Sequence, residues 1–222
     1  MAYRQTEHVA QRLAGRRDAI LVAARTIAAE SGITAVQIAP VAQRAGIAAG
    51  TVYRYFPAKA DMVAALIRAV SQREIAALRR VADAAPGPLS ALAAAILAFA
   101  ARAVRQRRLS WSVFAEPVDA AVDAARLACR KALTAEFQAR IEAAVDGGHL
   151  PEQNAALVAP AIVGFLLEGL IGPLAPAADE PTAQRASVQM LALLALRALG
   201  VADARARGLI VQTTLPAEEG AA

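Results

Sequence analysis

Apolar residues recur at three- and four-residue intervals along almost the whole of this 222-residue chain, and runs that alternate apolar with polar are nearly absent. That regularity predicts an all-α protein. A hydrophobic fraction of 57% against 19% charged residues gives ample surface for a buried core, so the chain reads as globular and not disordered. Helix breakers divide the pattern. A helix is expected over 16–31, where Ile20, Ala23, Ala24 and Ile27 form one stripe and Gly32 stops it. Short helices follow over 38–45, ending at Gly46, and over 48–55, ending at Pro57. A long one over 58–81 is closed by Ala85-Pro86-Gly87-Pro88. Beyond it, helices are expected over 89–107, 110–115, 119–145, 152–171 and 182–199, with a turn over 146–151. Residues 1–15 read as a mobile basic arm and residues 201–222 as a tail of little periodicity whose end is mobile.

Several function classes are excluded early. The single Cys129 forms no internal disulfide, and no apolar leader follows the early arginines, which fits a reducing cytoplasm. The stretch 157–178 carries one formal charge, Glu168, and is long enough to cross a bilayer. Pro160, Gly164, Gly169, Gly172, Pro173 and Pro176 interrupt it, and it reads as an interfacial helix, not a membrane span. His8 and His149 lie in the arm and in a glycine turn, leaving Cys129 and the serines without a base at readable spacing. No phosphate-cradling glycine loop and no metal-ligand spacing is present. The expectation is a protein that is not an enzyme and takes no cofactor or metal.

Charge is concentrated where the short helices lie. Residues 1–59 hold eight basic residues against three acidic ones, and the sixteen of each sign beyond cancel, so the whole excess of +5 sits in the first quarter. Such a field attracts a polyanion. On the first short helix Val41, Ala42 and Ala45 make an apolar face. Gly46 permits a sharp turn, Ile47 plugs the corner, and Val52 and Phe56 face back from the second helix. This is the spacing of a helix-turn-helix. With Val52 turned inward, a rotation of about 100° per residue directs Gly50, Tyr53 and Arg54 outward, with Thr51 and Tyr55 flanking. Hydroxyls, a guanidinium fork and bare glycine backbone suit phosphate and groove contacts. Lys59 lies in the first turn of the long helix, where the macrodipole disfavours a cation and a phosphate would resolve the conflict.

The segments Ala42-Gln43-Arg44-Ala45-Gly46-Ile47 and Gly50-Thr51-Val52-Tyr53-Arg54-Tyr55-Phe56, followed by Lys59, resemble the DNA-binding region of the tetracycline-repressor (TetR) family of bacterial regulators. The resemblance runs over 16–63. It is weaker in Phe114-Ala115-Glu116-Pro117-Val118-Asp119 and the last two apolar helices. It implies a helix-turn-helix DNA-binding domain over 16–63 and a helical ligand-binding and dimerisation domain over 64–200. It also implies a homodimer on double-stranded operator DNA, with Thr51, Tyr53 and Lys59 at phosphates, Ala49, Gly50, Arg54 and Tyr55 close to bases, and a small-molecule effector that releases the DNA. Two departures from the family pattern stand out. Gln37 and Pro40 stand where a threonine cap and a following carboxylate are usual, which rules out a capping box and leaves Gln37 as a weaker phosphate contact. Ala39 replaces a frequent arginine, so Arg54 is the one strong candidate for bidentate base reading.

For the effector, Phe99, Trp111, Phe114 and Phe165 offer apolar surface, while Arg102, Glu116 and Glu168 offer polar handles. The helices over 152–171 and 182–199 carry more apolar surface than one domain buries, which predicts a four-helix interface between two subunits. Because the helix over 58–81 joins both modules, a ligand that rotates it would change the separation of the two recognition helices. The competing reading is a carrier of apolar ligands, or an interaction protein, whose basic module meets acidic lipid or protein.

Overall fold

The computed structural model describes residues 2–177 and 180–213, with side chains from residue 15 onward. Among these residues ten α-helices and no strand are present. The head is built from α1 (Ala2–Ser31), a 3-10 turn (Ile33–Ala35), α2 (Ile38–Arg44) and α3 (Ala49–Tyr55). Helix α4 (Lys59–Asp83) runs from the head into the body, which comprises α5 (Pro88–Arg105), α6 (Arg107–Phe114), α7 (Ala120–Asp146), α8 (Ala155–Ile171), α9 (Pro181–Ala198) and α10 (Asp203–Gln212).

The body is organised around α5. Its sequence is apolar on every side, so it is stable only if surrounded, and α4, α6, α7, α8, α9 and α10 all pack on it. Leu92, Ile96 and Phe99 lie in its core face, and Phe99 meets Phe114 of α6 and Phe137 of α7 edge to face, with centroids at 6.0 and 6.2 Å. Among the described residues α5 is the one helix long and apolar enough to cross a membrane, with 67% of that span buried against its neighbours. The apolar stretch over 157–178 instead forms the 17-residue α8 and then breaks at Gly172.

Helix α6 is a short strut clamped at both ends. At its start, Arg107 donates from Nη1 to the Pro176 carbonyl at 2.7 Å and from Nη2 to those of Gly172 and Ala175 at 3.2 and 2.7 Å, closing the chain around the end of α8. At its end, buried Arg126 of α7 donates to the carbonyls of Val113 and Ser112 at 3.2 and 3.1 Å. Burial pushes the Arg126 guanidinium below its ordinary value, and the carbonyl dipoles at the helix end favour its charge. Burial raises the Cys129 thiol in turn, so it stays protonated and donates to the Ile67 carbonyl at 3.8 Å.

Two boundaries differ from the sequence expectation. Helix α1 starts at Ala2 and not near residue 16, because Ala, Gln, Arg and Glu are strong helix formers even where no apolar stripe marks them. The supposed tail contains α10, which buries Ala206 and packs Leu209 and Ile210 on the core. The end of that tail, residues 214–222, lies outside the described residues.

The corner of the head depends on Gly46. Its φ is +66°, the Ile47 amide donates to the Ala42 carbonyl at 3.0 Å, and the Gly46 amide donates to that of Gln43 at 3.2 Å. This paired closure requires a left-handed residue at that point. Gly46→Ala is expected to lower stability by about 1–2 kcal/mol in urea denaturation, although a Cβ there meets no atom within 4 Å.

Candidate nucleic-acid interface

Two anchors fix the orientation of α3. Val52 is fully buried and Phe56 nearly so, within the apolar core that also holds residues of α1, α2 and α4. Arg17 of α1 closes over the Phe56 ring at 5.1 Å, which holds the end of α3 against the first helix. With that side committed, Ala49, Gly50, Tyr53 and Arg54 are exposed, Tyr53 at 52%, and Thr51 and Tyr55 are half-buried at the margins. The sequence reading of this helix and the structure agree residue by residue on which side points out. Gly50 has no neighbour within 4 Å of where a Cβ would stand and no positive φ, so nothing within the fold requires glycine there.

Around this face several of the basic side chains are engaged elsewhere. Arg44 pairs with Glu30 at 2.6 Å and holds the Glu30 carboxyl below the usual carboxylate range. Arg25 donates to Gln106 of the body at 3.0 Å. Arg4 and Arg12 lie among the side chains outside the described ones. Arg54 remains outward, and Lys59 is half-buried as the first residue of α4.

The helix start at Lys59 holds a residue that the sequence reading passed over. Asp61 accepts from the Ala58 amide at 3.0 Å and places a carboxylate in the first turn of α4. The dipole that argued for an external anion at Lys59 is therefore partly met within the chain. Gln37 caps nothing with its side chain. Its Nε2 donates to the Thr34 carbonyl at 2.9 Å, so one end of its amide is engaged.

The seven residues expected to bind an effector are not brought together. Phe99 and Phe114 touch, but inside the closed aromatic core. Arg102 donates to both oxygens of Glu74 at 2.6 and 2.9 Å, bracing α5 against α4. Trp111 is half-buried on α6, while Phe165 and Glu168 sit on the outer side of α8. Glu116 has a different task. One of its oxygens accepts from the Ile33 amide at 2.9 Å and from the Ser112 hydroxyl at 2.8 Å, joining the head to the end of α6. Arg102 meets Glu74 from 28 residues away and Glu116 meets the Ile33 amide from 83 residues away, pairings that no local pattern signals.

The open cleft of the body lies elsewhere, at the junction of α5 and α6. It encloses about 410 Å³ and is lined by Arg105, Arg107 and Arg108 on one side and by Leu170, Gln184 and Ser187 of α8 and α9 on the other. None of the seven expected residues lines it.

Comparison with known proteins fits this geometry. The profile of bacterial regulatory proteins of the tetR family matches residues 20–66, the span of the head from the middle of α1 into α4. The HTH-type transcriptional repressor KstR of Mycolicibacterium smegmatis is 40% identical over 77 residues, covering 35% of this chain and 38% of that protein. KstR of Rhodococcus jostii is 50% identical over 54 residues, 24% of this chain and 26% of its own length. These matches therefore span well under half of the relatives. Likeness of fold extends much further. RolR in complex with resorcinol superposes with a TM-score of 0.69 at 24% identity, covering 94% of this chain and 98% of its own. The fatty acid degradation regulator FadR from Bacillus halodurans superposes with a TM-score of 0.72 at 20% identity, covering 84% and 97%. The head thus matches the profile of bacterial regulatory proteins of the tetR family, and the fold of the chain is that of the solved regulators it superposes on.

Proposed function

We propose that the chain is a cytoplasmic DNA-binding transcriptional regulator, a repressor that holds a palindromic operator as a homodimer and is released by a small molecule. The observation that carries the reading is the division of α3. One side is spent on Val52, next to the Phe56 anchor, and the other offers Gly50, Tyr53 and Arg54 to solvent with no neighbouring element over them. A helix presented in this way, at the edge of a head whose formal charge is positive, suits the major groove. KstR is a repressor, and RolR takes resorcinol, which supports repression and a small effector by likeness.

The second subunit is supported by the outer side of α8 and α9. Leu157, Phe165, Met190 and Leu194 remain exposed, at 70, 36, 65 and 43%, and their spacing places them on one stripe of each helix. Two such pairs would close a four-helix interface on a twofold axis. The chain is expected to sediment at twice its 23.0 kDa mass at micromolar concentration, and a Leu157→Glu, Met190→Glu variant as the single chain. A monomeric native protein would contradict the homodimer.

Operator binding is expected to fall linearly in log affinity against log salt, with one short duplex preferred over random competitor. In a fluorescence-anisotropy titration Lys59→Ala should lower the salt slope by about 1, while Arg54→Ala should cost about 1–3 kcal/mol and relax discrimination at a single base pair. An unchanged preference at every operator position in Arg54→Ala would remove Arg54 from base reading. A salt slope without any preferred duplex would favour the acidic-lipid or acidic-protein reading.

Gly50 separates fold from function sharply. Gly50→Ala is expected to leave stability unchanged or raise it by a few tenths of a kcal/mol, up to about 0.5, since Gly50 lies in the first turn of α3 and the new methyl meets nothing. On operator DNA the same methyl stands between backbone and groove, and affinity should drop about tenfold or more. Equal binding by the variant would show that α3 keeps its distance from DNA at that point.

A further inference from the structure

Helix α1 is 30 residues long, and among the described side chains the core of the head starts only at Ile20. Residues 15–19 before it are all exposed. The direction in which the helix overhangs the head follows from its contacts. Arg25 donates to Gln106 at the start of α6 and Ala29 faces the α5–α6 junction, so the last turns of α1 are turned to the body. Arg17, about two turns earlier, lies over the ring of Phe56 at the end of α3. The axis therefore runs from the body past the end of α3, and residues 2–16 continue on the side of the head away from the body. Their composition is one-sided, with Arg4, Arg12 and Arg16 against Glu7. Large apolar residues are few there, Tyr3, Val9 and Leu13 with no Trp or Phe, which is a poor anchor for lipid. The match to the tetR profile begins at residue 20, so that likeness assigns this overhang no task.

We propose that residues 2–16 of α1 are a second DNA contact, in which Arg4, Arg12 and Arg16 lie along the phosphates that flank the base pairs facing α3. The inference rests on the regulator reading, since it is α3 that brings a duplex to this side of the head. At 1.5 Å per residue the overhang is about 22 Å long, the length of about six base pairs at 3.4 Å per step. Phosphate recurs at every step, so a straight helix of that length meets several of them whatever the bases between. The overhang therefore adds affinity and salt dependence without adding sequence preference, and it widens the stretch of duplex that each head covers. It also supplies phosphate contacts that the packed part of the head has in short supply, where Arg44 is paired with Glu30 and Arg25 is held by Gln106.

The test uses the full chain and the short duplex that it selects from a random-sequence pool, made flush with the selected site or lengthened by about six base pairs of arbitrary sequence at each end. In fluorescence-anisotropy titrations the native chain should bind the longer form about tenfold tighter, and an Arg4→Gln, Arg12→Gln, Arg16→Gln variant should bind both forms equally. The salt slope of the variant should be shallower by about 1 for each arginine that meets a phosphate, while its ratio of selected to random duplex stays that of the native chain. The length comparison on the native chain stands even where the variant alters the helix. Equal affinity of the native chain for the two forms, or a variant that keeps the native salt slope, would overturn the contact. Vesicles of phosphatidylserine that capture the native chain but not the variant, with duplex binding unchanged, would assign the overhang to lipid instead. If the pool yields no preferred duplex, the regulator reading fails and the inference with it, whereas a preferred duplex bound no better when lengthened refutes the overhang alone.

Discussion

Glu116 holds donors from the two halves of the molecule on one carboxylate oxygen, the Ile33 amide from the head and the Ser112 hydroxyl from α6. An amide at the start of a 3-10 turn has no partner within the turn, so without this carboxylate it would stand unpaired in a half-buried joint, at a cost of about 1–3 kcal/mol. The contact makes the position of the head a function of the position of α6. Helix α6 in turn is fixed by Arg126 at its end and by Arg107 at its start. The strut is thus charged or polar at every attachment, and apolar only along its flank at Leu109, Val113 and Phe114. Such joints are directional, and they fix the orientation of the head on α6 more tightly than a purely apolar contact would.

What the sequence disclosed follows the range over which each cause acts. The corner at Gly46 was legible because its causes are local: a glycine at one point, small residues before it and apolar residues at fixed offsets after it. The outward set on α3 followed from the same geometry once Val52 was placed. The start of α1 was not legible from apolar spacing, since its first turns are polar, and only helix propensity pointed to it. The dispersal of the expected ligand residues has a different reason. Arg102, Glu116 and Phe114 have the right chemistry for a pocket, but each is occupied by a partner from a distant element, and the pairing exists only after the body has folded.

The charge of the head shows the same limit. Counting ionised residues over 1–59 gives the net charge but not which groups are aimed from α3, because Arg44 is paired with Glu30, already subtracted in that count, and Arg25 and Arg17 are turned to structural contacts. Arg17 and Arg25 keep their charge and still contribute at a distance, yet neither is aimed at the outer side of α3. On the reading proposed above, close recognition would fall on few groups, Arg54 with the hydroxyls of Thr51 and Tyr53 and the ammonium of Lys59, while the long-range field is shared among the rest. A surface of that kind would depend on backbone approach at the bare Gly50.

The outer side of α3 is polar and has no neighbouring element over it, so on the reading proposed above its partner stays hydrated and binds through many phosphates in a row and not through one group. The centre of the body offers no comparable surface, since Phe99, Phe114 and Phe137 close it. A small molecule that altered operator binding would therefore not have to compete with DNA for the same side chains. It would act by favouring one position of α6, whose end carries the Ser112 hydroxyl that shares the Glu116 carboxylate with the head.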